Sequence, residues 1–150
     1  MKRAILYCLV FILLICMLAA CNRPAKMNGA NEFAYTNTNY HFSLMIPKAW
    51  EGKYEISEES NRVVFSNPSN KSAGGRLFVI DVWTKSKWME EGEALIKLIH
   101  ITKVGEADDA VFTFSTPTDV QYSLEDEKRK SEYLQLSKDV EAIKSSFKLN

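Results

Sequence analysis

The sequence predicts an α+β domain in which a mainly antiparallel sheet is covered by helices and a long C-terminal helix packs on that sheet. Three stretches carry the prediction. "YHFSLMIP" (40–47) alternates, with Tyr40, Phe42, Leu44 and Ile46 on one face and His41, Ser43 and Met45 on the other. "RLFVIDVWT" (76–84) is nearly continuous in β-forming apolar residues. Tyr133, Leu136, Val140, Ile143 and Phe147 recur at helical spacing within an otherwise charged segment.

The first strand is half-buried by its period of two and stopped by Pro47. "KYEISEE" (53–59) repeats that pattern weakly, and "RVVFS" (62–66) is a short apolar strand. "NPSNKSAGG" (67–75) has the composition of an exposed loop. "RLFVIDVWT" reads as a central strand covered on both faces. The period then changes. In "SKWMEEGEALIKLI" (86–99), Trp88, Leu95 and Ile99 share a helical stripe behind Ser86 as N-cap. Gly92 on that stripe lowers helix propensity but allows close packing. "HITKV" (100–104) and "AVFTFST" (110–116) read as strands joined by "GEADD" (105–109). In "SLEDEKRKSEYLQLSKDVEAIKSSF" (123–147), Ser123 and Asp126 form a capping box and open one long helix.

The N-terminal segment points to a location. Lys2 and Arg3 precede an uncharged, apolar run from Ala4 to Ala20. A positive start followed by an apolar run of this length is the pattern of a secretory signal peptide. It is close to membrane-spanning length too. Leu18-Ala19-Ala20-Cys21 then places two small residues immediately before a cysteine. This resembles the bacterial lipobox, in which the peptidase cuts before the cysteine and its thiol carries diacylglycerol. The expected organisation is a signal peptide over 1–20, a lipid-anchored tether over 21–33 and one α+β domain over 34–150. The tether "NRPAKMNGAN" (22–31) is polar and short, so the domain is expected to work close to the membrane.

Cleavage before Cys21 removes Cys8 and Cys16 and leaves no thiol free for a disulfide. It also leaves 17 basic against 19 acidic residues. That balance argues against a nucleic-acid partner and gives no polybasic attraction to anionic lipid. The acyl chains themselves must hold the protein, at about 0.8 kcal/mol per buried CH₂. The partners expected are membrane lipid, through the diacylglyceryl anchor, and a protein of the cell envelope.

"YHFSLMIPKAW" carries a further resemblance. Tyr40, Phe42, Pro47 and Trp50 stand as in the opening strand of PsbP-like domains, although His41 occupies the place where glycine is usual. The C-terminal helix ending in Ser-Ser-Phe-Lys is similar as well. The chain as a whole resembles small lipoproteins of Gram-positive bacteria. The resemblance implies an α/β/α sandwich around an antiparallel sheet. It implies no activity and transfers no functional residues.

Chemistry is sparse. His41 and His100 lack metal-ligand spacing, and a metal would need both beside a carboxylate such as Asp81 or Asp109. "ADD" (107–109) reads as a turn, and "SAGG" (72–75) precedes a strand, so it is no phosphate loop. Trp50, Trp83 and Trp88 raise the possibility of sugar stacking, but core packing is the favoured role for such aromatics. The loop "STPTDVQYS" (115–123) puts Asp119 and Tyr122 between a strand and a capped helix. Asp119, Tyr122 and Trp83 are therefore the candidate binding residues, and Cys21 is the lipidation site. No catalytic residue, metal or cofactor is expected. The leading expectation is a membrane-anchored, extracytoplasmic binding or accessory module of the cell envelope. Its alternatives are an envelope hydrolase or transferase with a shallow site near Asp119 and Tyr122, and a small-ligand or metal carrier using His41 or His100.

Overall fold

The computed structural model describes residues 31–150. The expected signal peptide, Cys21 and most of the expected tether lie outside them. The described residues form an α+β domain with two antiparallel sheets. β1 (Glu32–Asn37), β2 (Phe42–Pro47) and a two-residue β8 (Lys148–Leu149) make a small sheet in the order β1-β2-β8. β3 (Glu55–Glu59), β4 (Arg62–Ser66), β5 (Arg76–Thr84), β6 (Ile101–Glu106) and β7 (Ala110–Ser115) make the larger one, in the order β3-β4-β5-β7-β6.

The central strand expected at 76–84 is β5, buried from Leu77 to Val82. Its register sets the two faces of the large sheet. Ile80 opposes Val63 and Phe114, and Val82 opposes Phe112. These residues form one apolar face. Phe78 stacks on Phe65 at 4.3 Å and on Phe114 at 4.7 Å. Phe42, Leu44 and Ile46 of β2, all fully buried, close over this face together with Trp50. Both edges of the large sheet are blunted against pairing with other chains. β3 carries Glu55, Glu58 and Glu59, and β6 carries Lys103 beside a register shift between Lys103 and Gly105.

The opposite face carries Asp81, Trp83 and Thr113, and a helical segment lies against it. That segment comprises α1 (Lys85–Lys87), a π-helical stretch (Trp88–Gly92) and α2 (Glu93–Leu98). Its N-cap is Thr84, whose hydroxyl accepts from the Lys87 amide at 3.3 Å, and not Ser86 as the sequence suggested. Trp88 packs edge-on to Trp83 at 5.9 Å. Its ring lies so close to Gly92 that a Cβ there would stand 2.2 Å from Cε3, which is why the stripe contains glycine.

The expected C-terminal helix is present but divided. α3 (Glu127–Ser137) and α4 (Val140–Ser145) are separated at Lys138 and Asp139. Tyr133, Leu136, Val140 and Ile143 are buried on one side, as the spacing predicted. Phe147 lies beyond α4 and stacks on Phe42 at 5.3 Å. The helix starts later than the capping box at Ser123 implied. Asn70 Oδ1 accepts from the Ser123 amide at 3.0 Å and holds that residue in the loop. Asp126 takes over as N-cap, accepting from the Arg129 amide at 3.0 Å.

Two further features depart from the sequence reading. β1 begins at Glu32, inside the segment expected to be tether, and places Phe33 and Tyr35 against Tyr54 and Phe65. "NPSNKSAGG" is not simply an exposed loop. It forms a 3₁₀ turn (Pro68–Ala73), and Asn67 and Asn70 are fully buried. Asn67 Nδ2 donates to the Lys53 carbonyl (2.7 Å) and to Glu132 (2.8 Å), and Asn70 Nδ2 donates to the Arg129 carbonyl (2.9 Å). A buried amide is costly unless its hydrogen bonds are made, and these two make theirs by tying the turn to α3.

Candidate functional site

The loop from Thr116 to Tyr122 is held from below by Gln121. The Gln121 side chain is buried, and its Oε1 accepts from the Arg76 amide at 3.2 Å. Its Nε2 donates to Asp119 Oδ1 at 2.8 Å, and its backbone carbonyl accepts from the Gly75 amide at 3.0 Å. Gly74 has φ +102°, and a Cβ there would stand 2.3 Å from Gln121 Oε1. Glycine is therefore required on both counts. Asp119 is in this way an exposed carboxylate on a fixed support.

Tyr122 packs on Tyr133 of α3, with ring centroids 5.5 Å apart. Between loop and helix lies an open cavity of about 330 Å³, lined by Leu77, Asp119, Tyr122, Tyr133, Val140 and Glu141 among others. The structure thus brings Asp119 and Tyr122 to one cavity. Two carboxylates, Asp119 and Glu141, stand at its rim over an apolar and aromatic floor. Such a surface suits a cationic or hydroxyl-bearing group with an apolar body.

Tyr133 contributes structure here. Its hydroxyl donates to the Arg76 carbonyl at 2.6 Å. Burial, reinforced by the negative charge of Asp119 and then by Tyr122, pushes its pKa up to about 12. The phenol is therefore neutral near pH 7. An unfolded tyrosine ionises near pH 10, so between pH 10 and about 12 the folded state holds a proton that the unfolded state has released. Stability from this group is fully present below pH 10 and falls as pH rises to about 12, by on the order of 2 kcal/mol. Tyr133→Phe should cost about 1 kcal/mol at pH 7 through the lost hydrogen bond. It should also flatten the alkaline decline measured by denaturant titration. Burial raises Tyr35 and Tyr54 as well, so part of the decline should persist. An unchanged alkaline decline in Tyr133→Phe would contradict this assignment.

Ser137 also lines the cavity, but its hydroxyl donates to the Tyr133 carbonyl at 2.7 Å. Among the cavity's lining residues there is no histidine to serve as its base. The arrangement can hold a ligand.

Trp83 is not brought to this site. It lies on the opposite face of the large sheet, where its Nε1 donates to Thr113 Oγ1 at 2.9 Å and Lys87 Nζ sits 5.6 Å from the ring centroid. Trp50 is core, and Trp88 is buried. His41 occupies the turn before β2, whereas His100 lines a second cavity beside β6. Asp81 is paired with Arg62 at 2.6 Å. Among the described residues, no group of three or more His, Cys, Asp or Glu side chains could hold a metal ion. None of the helices among the described residues is long and apolar enough to cross a membrane.

The second cavity, of about 350 Å³, has no signature in the sequence. It is lined by Ile96 to Thr102, by Phe114 and Thr116, and by Glu141 and Lys144 of α4. "IKLIHIT" reads as a helix end running into a strand, and only the packing of α4 beside β6 turns that junction into a cleft.

No family model, curated protein or solved structure matches the chain significantly.

Proposed function

We propose that the chain is a lipid-anchored, extracytoplasmic binding module of a bacterial cell envelope, and that its domain is a PsbP-like α/β/α sandwich of the kind found in small Gram-positive lipoproteins. The observation that carries the location is Leu18-Ala19-Ala20-Cys21 behind an uncharged run and a basic start. The partners are membrane lipid, through diacylglycerol on Cys21, and a protein held at the same surface. Tethering raises the effective concentration of such a neighbour, so a modest interface suffices.

Two features of the domain support the reading. His41, at the position where the PsbP-like pattern has glycine, adopts φ +54°, a left-handed conformation that glycine takes without strain. The cavity at Asp119 and Tyr122 presents charge and aromatic surface for contact, as a binding site does.

Cys21→Ala tests the anchor. The variant should accumulate as a slower-migrating precursor and incorporate no labelled fatty acid, while the wild type is processed and labelled. Equal fatty-acid labelling of the two chains would remove the lipoprotein reading.

A further inference from the structure

The strand pairing gives the domain two ends. All neighbours in the large sheet run antiparallel, so β3, β5 and β6 start where β4 and β7 finish. The small sheet is aligned with that end. Phe33, near the start of β1, meets Tyr54, the residue before β3, at 6.4 Å between ring centroids. At the opposite end the Tyr40 hydroxyl donates to the Ser60 carbonyl. Glu32 therefore stands at the end where β3 starts, and the chain towards Cys21 leaves the domain there. From Cys21 to Glu32 the chain reaches at most about 40 Å, whatever its conformation. The opposite end lies further off by the length of β5, about 30 Å.

The end that the chain leaves from also gathers exposed apolar side chains. Among the described residues seven large ones are exposed, and four of them are here. Leu98 and Ile99 stand at the junction of α2 with the start of β6, 78% and 51% exposed. Val120 and Leu124 stand on the loop after β7, 52% and 68% exposed. That loop is fixed at this end by two backbone donors. The Gly75 amide donates to the Gln121 carbonyl at 3.0 Å, and the Ser123 amide donates to Asn70 Oδ1 at 3.0 Å. The turns at the opposite end, 38–41, 60–61 and 107–109, carry none of the seven.

We infer that this end is the face the domain turns to the bilayer, with Leu98, Ile99, Val120 and Leu124 entering the phospholipid interface. The inference rests on the lipid anchor proposed at Cys21, and it adds which surface meets the lipid and through which side chains. The tether decides the occupant. An anchor at Cys21 holds the bilayer within about 40 Å of Glu32, on the side where these four side chains project. At that effective concentration a weak contact suffices. Side chains projecting from two separate segments also suit a fluid interface, which closes around each of them without a matching socket. Lys53, Lys71 and Lys97 stand among Glu51, Asp119 and Glu125, so charge is mixed and apolar burial supplies the attraction.

The test uses the full lipidated chain in phosphatidylcholine vesicles that carry a nitroxide quencher high on the acyl chains. Single cysteines at positions 120, 124, 59 and 108 carry the same polarity-sensitive fluorophore. Glu59 and Asp108 are exposed at the opposite end. An interfacial side chain sits about 5–10 Å into the boundary of headgroups and acyl chains, so labels at 120 and 124 should be blue-shifted and quenched at least about twofold more than those at 59 and 108. Leu98 and Leu124 are exposed, so the double substitution Leu98→Ser, Leu124→Ser should leave the thermal melt in place. It should remove about half of the quenching at 120. Three results would each overturn the inference: equal quenching at the two ends, a label at 120 that is blue-shifted yet unquenched because a protein covers it, or indifference of that label to the double substitution. Intact mass of the same sample reports whether Cys21 carries lipid. Equal quenching with lipid on Cys21 overturns the inference and leaves the anchor standing, whereas an unmodified Cys21 overturns the anchor and the inference with it.

Discussion

Trp50→Ala is expected to remove about 4 kcal/mol of stability, a large part of what a domain of this size possesses. Trp50 ends the "PKAW" segment, and its side chain is fully buried. It contacts Tyr54 at 5.8 Å and Phe78 at 6.3 Å between ring centroids. Its Nε1 donates to Asp139 Oδ2 at 3.0 Å, at the break between α3 and α4. Truncation opens a cavity where the small sheet meets the large one and deprives Asp139 of its donor. Trp50→Phe keeps most of the volume and loses only the hydrogen bond and part of the packing, so about 1–2 kcal/mol is expected. Denaturant unfolding followed by far-ultraviolet circular dichroism measures both. A loss below about 1 kcal/mol for Trp50→Ala would show that this ring does not join the layers.

The second large effect concerns the C-terminal helices. Val140 opens α4 and is buried, whereas Lys138 lies two residues earlier and is exposed. Val140→Asp puts a charge against Leu77 and Tyr133 with no partner to satisfy it, and a loss of about 4 kcal/mol or outright unfolding is expected. Lys138→Asp should cost about 0.5 kcal/mol, because it places a negative charge at the C-terminal end of α3. Large losses of similar size from both would mean that the buried face of these helices has been misassigned.

How much of this was legible can be judged residue by residue. β5 was readable at its full length because a strand covered on both sides carries apolar residues on both faces, and the run Leu77–Ile80 with Val82 and Trp83 stands out. The buried stripe from Tyr133 to Ile143 was readable because a helix lying on a sheet shows its period plainly. The break within that stripe was not. There the chain tightens, with the Asp139 amide donating to the Leu136 carbonyl at 3.0 Å, and no Pro or Gly announces it. β8 escaped notice because two residues carry no period, and its pairing with Phe42 and Ser43 exists only once β2 is in place. The buried asparagines show the same limit. "NPSNKSAGG" has loop composition, and nothing local says that Asn67 and Asn70 will bond to α3 and to the chain around it. Asp119 and Tyr122 stand out in the sequence because a polar loop between a strand and a helix is a common place for binding groups, and the structure sets both on one cavity. Trp83 was separated from them because it lies on the face opposite Ile80 and Val82, whereas the register shift at Leu77 turns that residue to the core face, and the sequence does not show the shift. The cleft at His100 lies at a junction of elements and left no pattern in either of them.

The anchor is the central claim, and intact mass spectrometry of the wild-type chain extracted from membranes tests it most directly. A polypeptide beginning at Cys21 with the added mass of diacylglycerol is expected, with or without a further N-terminal acyl chain. Recovery of an unmodified chain that still begins at Met1 would contradict it.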